Sequence, residues 1–166
     1  MKRIFYLLSM LCVAIGMQAQ QRNTVTSILE VLDVQTGERT VLKEFPYLIE
    51  APNWTVDGKW IIYNSSGLLY KIAADGKGEV GLINTEYVVR CNNDHVLSPE
   101  EDAIAVSHMT FDEGFTSRVY IVPFDGSGPR LVTPNSPSFL HGWAPGGKEM
   151  AYCAFREING RREVDV

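Results

Sequence analysis

The sequence has little cysteine and no concentrated positive charge. Three of its 166 residues are cysteines, and no CxxC pair or Cys/His cluster has the spacing of a zinc site. Cys91 and Cys153 lie in strand-like apolar stretches, so we expect two buried free thiols, with a disulfide as the alternative in an exported protein. Beyond the first residues no block of lysine and arginine occurs. Nucleic acid and anionic membranes are therefore not expected as partners.

The sequence also lacks the motifs of several enzyme classes. It contains no GxSxG nucleophile elbow, so it carries no peptidase domain of the prolyl-oligopeptidase kind. It contains no P-loop spacing of the form GxxxxGK[ST]. These absences favour a protein that is not an enzyme, although they do not decide the question.

The first 20 residues differ from the rest. Lys2 and Arg3 form a basic start, and Ile4 to Met17 carry no charge. This order predicts a secretory signal at 1–20, because the apolar run is shorter than the ~20 residues of a membrane-spanning helix. Without this segment, which holds two basic and no acidic residues, 13 basic and 20 acidic residues remain, a net charge of −7. We predict an exported chain, periplasmic or extracellular, with no membrane span.

A repeat organises the remaining sequence, whose 45% apolar and 21% charged residues suit a globular domain. The segments 54–63, 97–106 and 143–152 align without gaps: each has an apolar residue, a tight turn and a short apolar strand. Downstream, 68–83 parallels 118–133, and each contains an Asp-Gly turn between two strands. Each unit thus holds about four strands in about 45 residues, the size of a propeller blade.

These units predict an all-β chain of four-stranded antiparallel blades in a β-propeller, with almost no helix. We place a partial propeller at 21–166. Its expected parts are a half blade, two blades and the start of another, at 27–45, 48–84, 88–133 and 138–166.

The repeat resembles the blade pattern of TolB-type, WD-repeat-like propellers. In that pattern, Trp-Ser-Pro-Asp-Gly-Lys precedes an apolar strand, and Tyr and Asp-Gly follow. The matching residues are Trp54, Asp57, Gly58, Lys59, Tyr63, Tyr70, Asp75, Gly76, Ser98, Pro99, Tyr120, Asp125, Gly126, Trp143, Pro145, Gly147, Lys148 and Tyr152. The middle unit departs from the pattern, with Leu97 for Trp and Glu101-Asp102 for Gly-Lys. The resemblance covers about 27–166 and implies a ring of six blades.

About three blades cannot close a ring, since even a small propeller has four. We therefore expect the chain to be the N-terminal part of a longer protein. The half blade at 27–45 would pair with missing C-terminal blades. The alternative is that a second copy closes the ring.

Two histidines occupy equivalent places in the repeat. His95 and His141 each stand two residues before the aligned Leu97 or Trp143, near the end of the first strand of their units. If these strands line a channel, both imidazoles could face one pocket at its mouth.

Three nearby polar residues, Asp94, Asn53 and Arg90, complete this set of ligand-binding candidates. The structural alternative is that each histidine only hydrogen-bonds the backbone. The aligned Trp54 and Trp143 are expected to pack between blades.

The TolB resemblance implies an exported binding or scaffold protein that recognises a protein, peptide or glycan at the channel mouth. We expect no cofactor and no catalytic residue. The alternative is an enzyme. It could be a metal-dependent oligosaccharide lyase holding its metal through histidines, or the gating propeller of a peptidase whose catalytic part lies elsewhere.

Overall fold

A computed structural model describes residues 25–111 and 116–165, and these contain strands and turns but no helix. The predicted signal at 1–20 lies outside the described residues. The strands are β1 (Ser27–Leu32), β2 (Arg39–Phe45), β3 (Glu50–Trp54), β4 (Trp60–Ser65), β5 (Leu68–Ala73), β6 (Gly81–Leu82), β7 (Cys91–Leu97), β8 (Ala103–Thr110), β9 (Thr116–Pro123), β10 (Arg130–Leu131), β11 (Ser138–Trp143), β12 (Met150–Ile158) and β13 (Arg161–Asp165). Accordingly, the described part of the chain offers no helix of the length and apolarity needed to cross a membrane.

The strands form four antiparallel sheets in chain order. A leading hairpin pairs β1 with β2, the first sheet is β3-β4-β5-β6, the second is β7-β8-β9-β10, and the third is β11-β12-β13. Each strand pairs with its neighbour in sequence, as short turns require. The predicted all-β chain with four-stranded antiparallel sheets is confirmed.

The three aligned segments form the same hairpin in each sheet. The aligned apolar residue pairs with the residue seven positions later in all three: Trp54 with Ile61, Leu97 with Ile104, and Trp143 with Met150. Each turn is closed by the same backbone hydrogen bond of 2.9 Å, from an N–H to the carbonyl three residues earlier. These bonds run from Gly58 to Thr55, from Glu101 to Ser98 and from Gly147 to Ala144. The turn chemistry read from the sequence therefore produces one repeated local structure.

Residues 76–81, which run from the turn after β5 into the first residue of β6, match the spacing GxGxxG. In a dinucleotide-binding protein that spacing opens a helix, whose N-terminus holds the phosphates. Here the glycines serve a β-turn, in which Gly76 and Gly78 have φ of 73° and 81°. This segment therefore has no features of a phosphate site.

Three apolar clusters hold the sheets together, and alternate residues of one strand enter different clusters. In β4, Ile61 and Tyr63 pack with the leading hairpin, whereas Ile62 packs toward the second sheet. The third cluster joins the second sheet to Leu140 of the third. Both faces of the central sheets are thus buried, which explains their near-continuous apolar sequences.

The two cysteines of the described residues, Cys91 and Cys153, are unpaired, as expected, but they differ in burial. Cys91 is buried, whereas Cys153 is half-buried. Burial raises the pKa of the Cys91 thiol to about 12, so this thiol stays protonated at neutral pH. The prediction of a buried free thiol is confirmed for Cys91, whereas for Cys153 the thiol is free but the predicted burial is wrong.

Candidate functional site

The first strands of the three sheets, here called the inner strands β3, β7 and β11, lie side by side. A groove of about 310 Å³ crosses their ends beside the hairpin turns. Each inner strand contributes to it, and its lining includes Trp54, Val96, Leu97, Gly142 and Trp143. This inner-strand groove is the place where the repeat brings equivalent residues of three sheets together.

The two tryptophans of the groove have different roles. The Trp143 indole N–H donates to the Val96 carbonyl at 3.2 Å, so this ring joins the third sheet to the second. The Trp54 indole donates to the Gly58 carbonyl of its own turn at 3.0 Å, and the residue is 50% exposed. The structure differs here from the expected packing between blades, because Trp54 bonds its own turn and leaves half of its surface exposed. The sequence carried no signal for this exposure.

His95 is buried, and its ring has no hydrogen bond. The residue is 2% exposed, and neither ring nitrogen meets a partner with hydrogen-bond geometry. Burial lowers the pKa of the imidazole from 6.5 to about 4, although the Ile62 carbonyl and the Asp94 charge act in the opposite direction. His95 is therefore neutral at physiological pH. Its backbone carbonyl accepts a bond of 3.1 Å from the Asn53 side chain.

His141 lies at the surface, because the pairing of β11 with β12 shifts at that residue. Leu140 pairs with Tyr152 and Gly142 pairs with Ala151, so His141 is an extra residue between them. A bulge of this kind turns the inserted side chain away from the regular alternation. The structure thus exposes His141 next to the groove residue Gly142.

The remaining predicted site residues are held in separate places. Asn53 lines the groove, and its amide also donates to the Ala51 carbonyl at 2.8 Å. Asp94 is half-buried and accepts a bond of 2.8 Å from the Asn92 side chain. Arg90 precedes β7 at the end opposite the groove, where its guanidinium lies 3.8 Å from the Phe111 ring centroid. The structure therefore brings Asn53 and the backbone of His95 together, and separates Arg90 from them.

The described residues contain no group of three or more His, Cys, Asp or Glu side chains close enough to hold a metal ion. Several aspartates among them instead serve the turns. Asp57, for example, accepts the Lys59 N–H at 3.0 Å and the Thr55 hydroxyl at 2.7 Å. These hydrogen bonds lower the pKa of Asp57 to about 2, and the bond from the Lys59 amide has the largest effect. The turn carboxylate therefore stays ionised.

Known proteins with similar sequences or structures show which fold the chain has. No protein-family model matches the sequence. The uncharacterized protein Atu1656 of Agrobacterium fabrum is 39% identical over 134 residues, which are 81% of this chain and 45% of that protein. The chain therefore spans about half the length of this curated relative.

Two solved structures are similar to the chain. A candidate TolB from Agrobacterium tumefaciens has a TM-score of 0.73 and 38% identity, and the match covers 84% of this chain and 48% of that one. TolB from Acinetobacter baumannii has a TM-score of 0.60 and 18% identity, over 82% of this chain and 34% of that one, and this match supports the fold alone. The chain is structurally similar to TolB, and its repeated sheets have a TolB-like β-propeller fold.

Proposed function

We propose that this chain belongs to an exported binding protein whose inner-strand groove recognises a protein, peptide or glycan. The observation that carries the proposal is the groove itself, where three sheets contribute equivalent strand ends and leave Trp54 half exposed. Exposed tryptophan beside polar groups is characteristic of binding surfaces, because the ring gives a large apolar contact at low entropic cost.

Two further features support this role. The similarity to TolB favours a periplasmic location, which agrees with the signal predicted at 1–20. His141 adds an exposed titratable side chain beside the groove. We propose that His141 and Asn53 contribute polar contacts to the ligand, and that His95 supports the strand from below the surface.

The metal-dependent lyase, one of the two enzymatic alternatives, would need His95 and His141 to face one pocket and share a metal. The burial of His95 and the exposure of His141 give the two rings different surroundings. A binding role needs no such shared site, and we therefore prefer it.

Site-specific cross-linking in the full-length gene product tests the proposal. A photo-reactive residue at His141 should capture a ligand from the cell envelope, whereas the same residue at the exposed turn position Lys77 should not. Trp54→Ala should weaken capture at position 141 about tenfold, the loss typical of a dominant aromatic contact. Equal capture at both positions, or capture indifferent to Trp54→Ala, would contradict a ligand in the groove.

A further inference from the structure

A second concave site lies between the first and second sheets and shares Leu97 and Glu101 with the inner-strand groove. This inter-sheet cleft has a volume of about 450 Å³, and residues of both sheets line it. Its interior is apolar, with Ile62 and Val122 only 4% and 2% exposed. Trp60 and Phe124 line it as well and are 38% and 43% exposed. A pocket of this size with apolar walls and a few polar groups suits a small organic molecule.

Glu101, which lines the cleft, occupies the glycine position of the repeated turn. Gly58 and Gly147 stand at this position in the first and third sheets, with φ of 71° and 65°, and Glu101 has φ of 57°. An L-residue rarely adopts this left-handed conformation, and glycine is the usual solution. The middle turn therefore keeps a carboxylate where glycine would be easier to accommodate.

Glu86 repeats this feature in the same cleft. It has φ of 51°, so both glutamates that line the cleft belong to the small set of non-glycine residues with positive φ. Its carboxylate oxygens lie 3.5 and 3.7 Å from the position that a Cβ at Gly128 would take, on the turn before β10. Strained residues that persist in a pocket are frequently functional.

The charges of the cleft are unbalanced. One carboxylate oxygen of Glu101 accepts the Val56 amide of the neighbouring turn, but within the described ranges no basic side chain pairs with Glu86 or Glu101. The basic residue of the lining is Lys71, whose ammonium lies 4.9 Å from the Trp60 ring centroid. A cationic ligand would therefore meet two available carboxylates beside apolar walls.

We propose that the inter-sheet cleft binds a small organic cation with an apolar body. The carboxylates of Glu86 and Glu101 hold its ammonium or guanidinium group, and Trp60 and Phe124 contact its body. Glu101 is half-buried and Glu86 is exposed, so a charge-assisted hydrogen bond to Glu101 is the better shielded from water of the two. Glu86, Trp60 and Phe124 line the cleft and not the inner-strand groove, whereas Glu101 lines both, so the two sites adjoin each other.

Three probes with the same ring and different charge test the cleft by calorimetry on the full-length protein. 2-Phenylethylamine is expected to bind about tenfold more tightly than 2-phenylethanol, because a charge-assisted hydrogen bond contributes roughly that much. Phenylacetate is expected to bind most weakly. The proposal would be overturned if the affinity for the amine exceeded that for the alcohol by less than about threefold, or if no binding of the amine were detected.

Substitution of Glu101 separates binding from folding. Glu101→Gly should reduce amine affinity about tenfold while the thermal midpoint stays the same or rises, since glycine suits the turn. Glu101→Gln keeps an oxygen for the Val56 amide and should lose affinity through charge alone. Glu100→Gln is the matched control, because this neighbour lines a different cavity and should leave affinity unchanged. Wild-type amine affinity in both Glu101 variants would assign Glu101 a structural role and overturn the site.

Discussion

Hairpins β7–β8 and β11–β12 carry a histidine at the same repeat position, yet they place it in opposite environments. His95 pairs with Val106 and is 2% exposed. His141 stands between the pairs of Leu140 and Gly142 and lies at the surface. The pairing irregularity of β7 falls earlier, between Cys91 and His95, so His95 keeps its regular partner.

This difference shows how little separates a core residue from a surface residue in a strand. Successive side chains point to opposite faces, and one inserted residue changes the face that a side chain occupies. Equivalent positions in a repeat therefore have equivalent backbones only as far as the nearest bulge. The hairpin turns lie beyond the bulges and keep one register in all three sheets.

The largest expected contrast comes from truncating the two histidines. His95→Ala should lower the free energy of unfolding by about 3 kcal/mol, because it leaves a cavity in a closely packed region. His141→Ala should change it by less than about 0.5 kcal/mol, as exposed substitutions usually do. Urea denaturation of both variants measures the contrast. A similar loss in both would mean that the two rings share one environment.

Acid should lower stability through His95. The pKa of folded His95 is about 4 against 6.5 ordinarily, so the unfolded chain binds more protons between these values. Stability is therefore complete above pH 6.5 and falls as pH drops toward 4, by about 2 kcal/mol between pH 7 and pH 5. The measurement is the difference in urea unfolding between the wild type and His95→Leu at each pH. If the pH dependence of the free energy of unfolding persisted in His95→Leu but disappeared in His141→Ala, it would be assigned to His141 and the prediction would be wrong.

A smaller effect on stability is expected at the hairpin turns, which have the same structure in all three sheets. Gly147 has φ of 65°, and a Cβ there would lie 2.9 Å from a Glu100 carboxylate oxygen. Gly147→Ala should therefore cost about 1–2 kcal/mol, as substitutions at left-handed positions do. Gly146→Ala is the control, because a Cβ at Gly146 meets no atom within 4 Å, and its cost should stay under about 0.5 kcal/mol. Thermal unfolding of the two variants decides whether this turn requires glycine.

Much of the fold could be predicted because its signals are local. The turn residues and the apolar strands after them lie within about ten residues of each other, and they predict a hairpin without information from elsewhere. Repetition of that hairpin then indicates stacked four-stranded sheets. The short strands predicted after the Asp-Gly turns are present as β6 and β10, although each pairs over only two residues with its neighbour β5 or β9.

Less of the candidate site could be predicted, because side-chain environments depend on distant residues. The sequence singled out Asn53, which does line the groove, but it also grouped Arg90 with it, and Arg90 lies at the other end of β7. Trp54 matched the repeat and was expected in the interior, yet it is half exposed. Glu101 attracted notice only as a departure from the blade pattern.

By itself, the sequence determined the repeat, the turn at each hairpin and the β character of the chain, since φ/ψ preferences and the two-residue period act over a few neighbouring positions. Only the tertiary structure decided that His95 is buried and His141 exposed, because bulges and packing against adjacent sheets set the face of each side chain. The contact of Glu101 with the Val56 amide joins residues 45 positions apart, and such a meeting follows from how sheets stack. The cleft that Glu101 and Glu86 share is likewise a product of the assembled sheets.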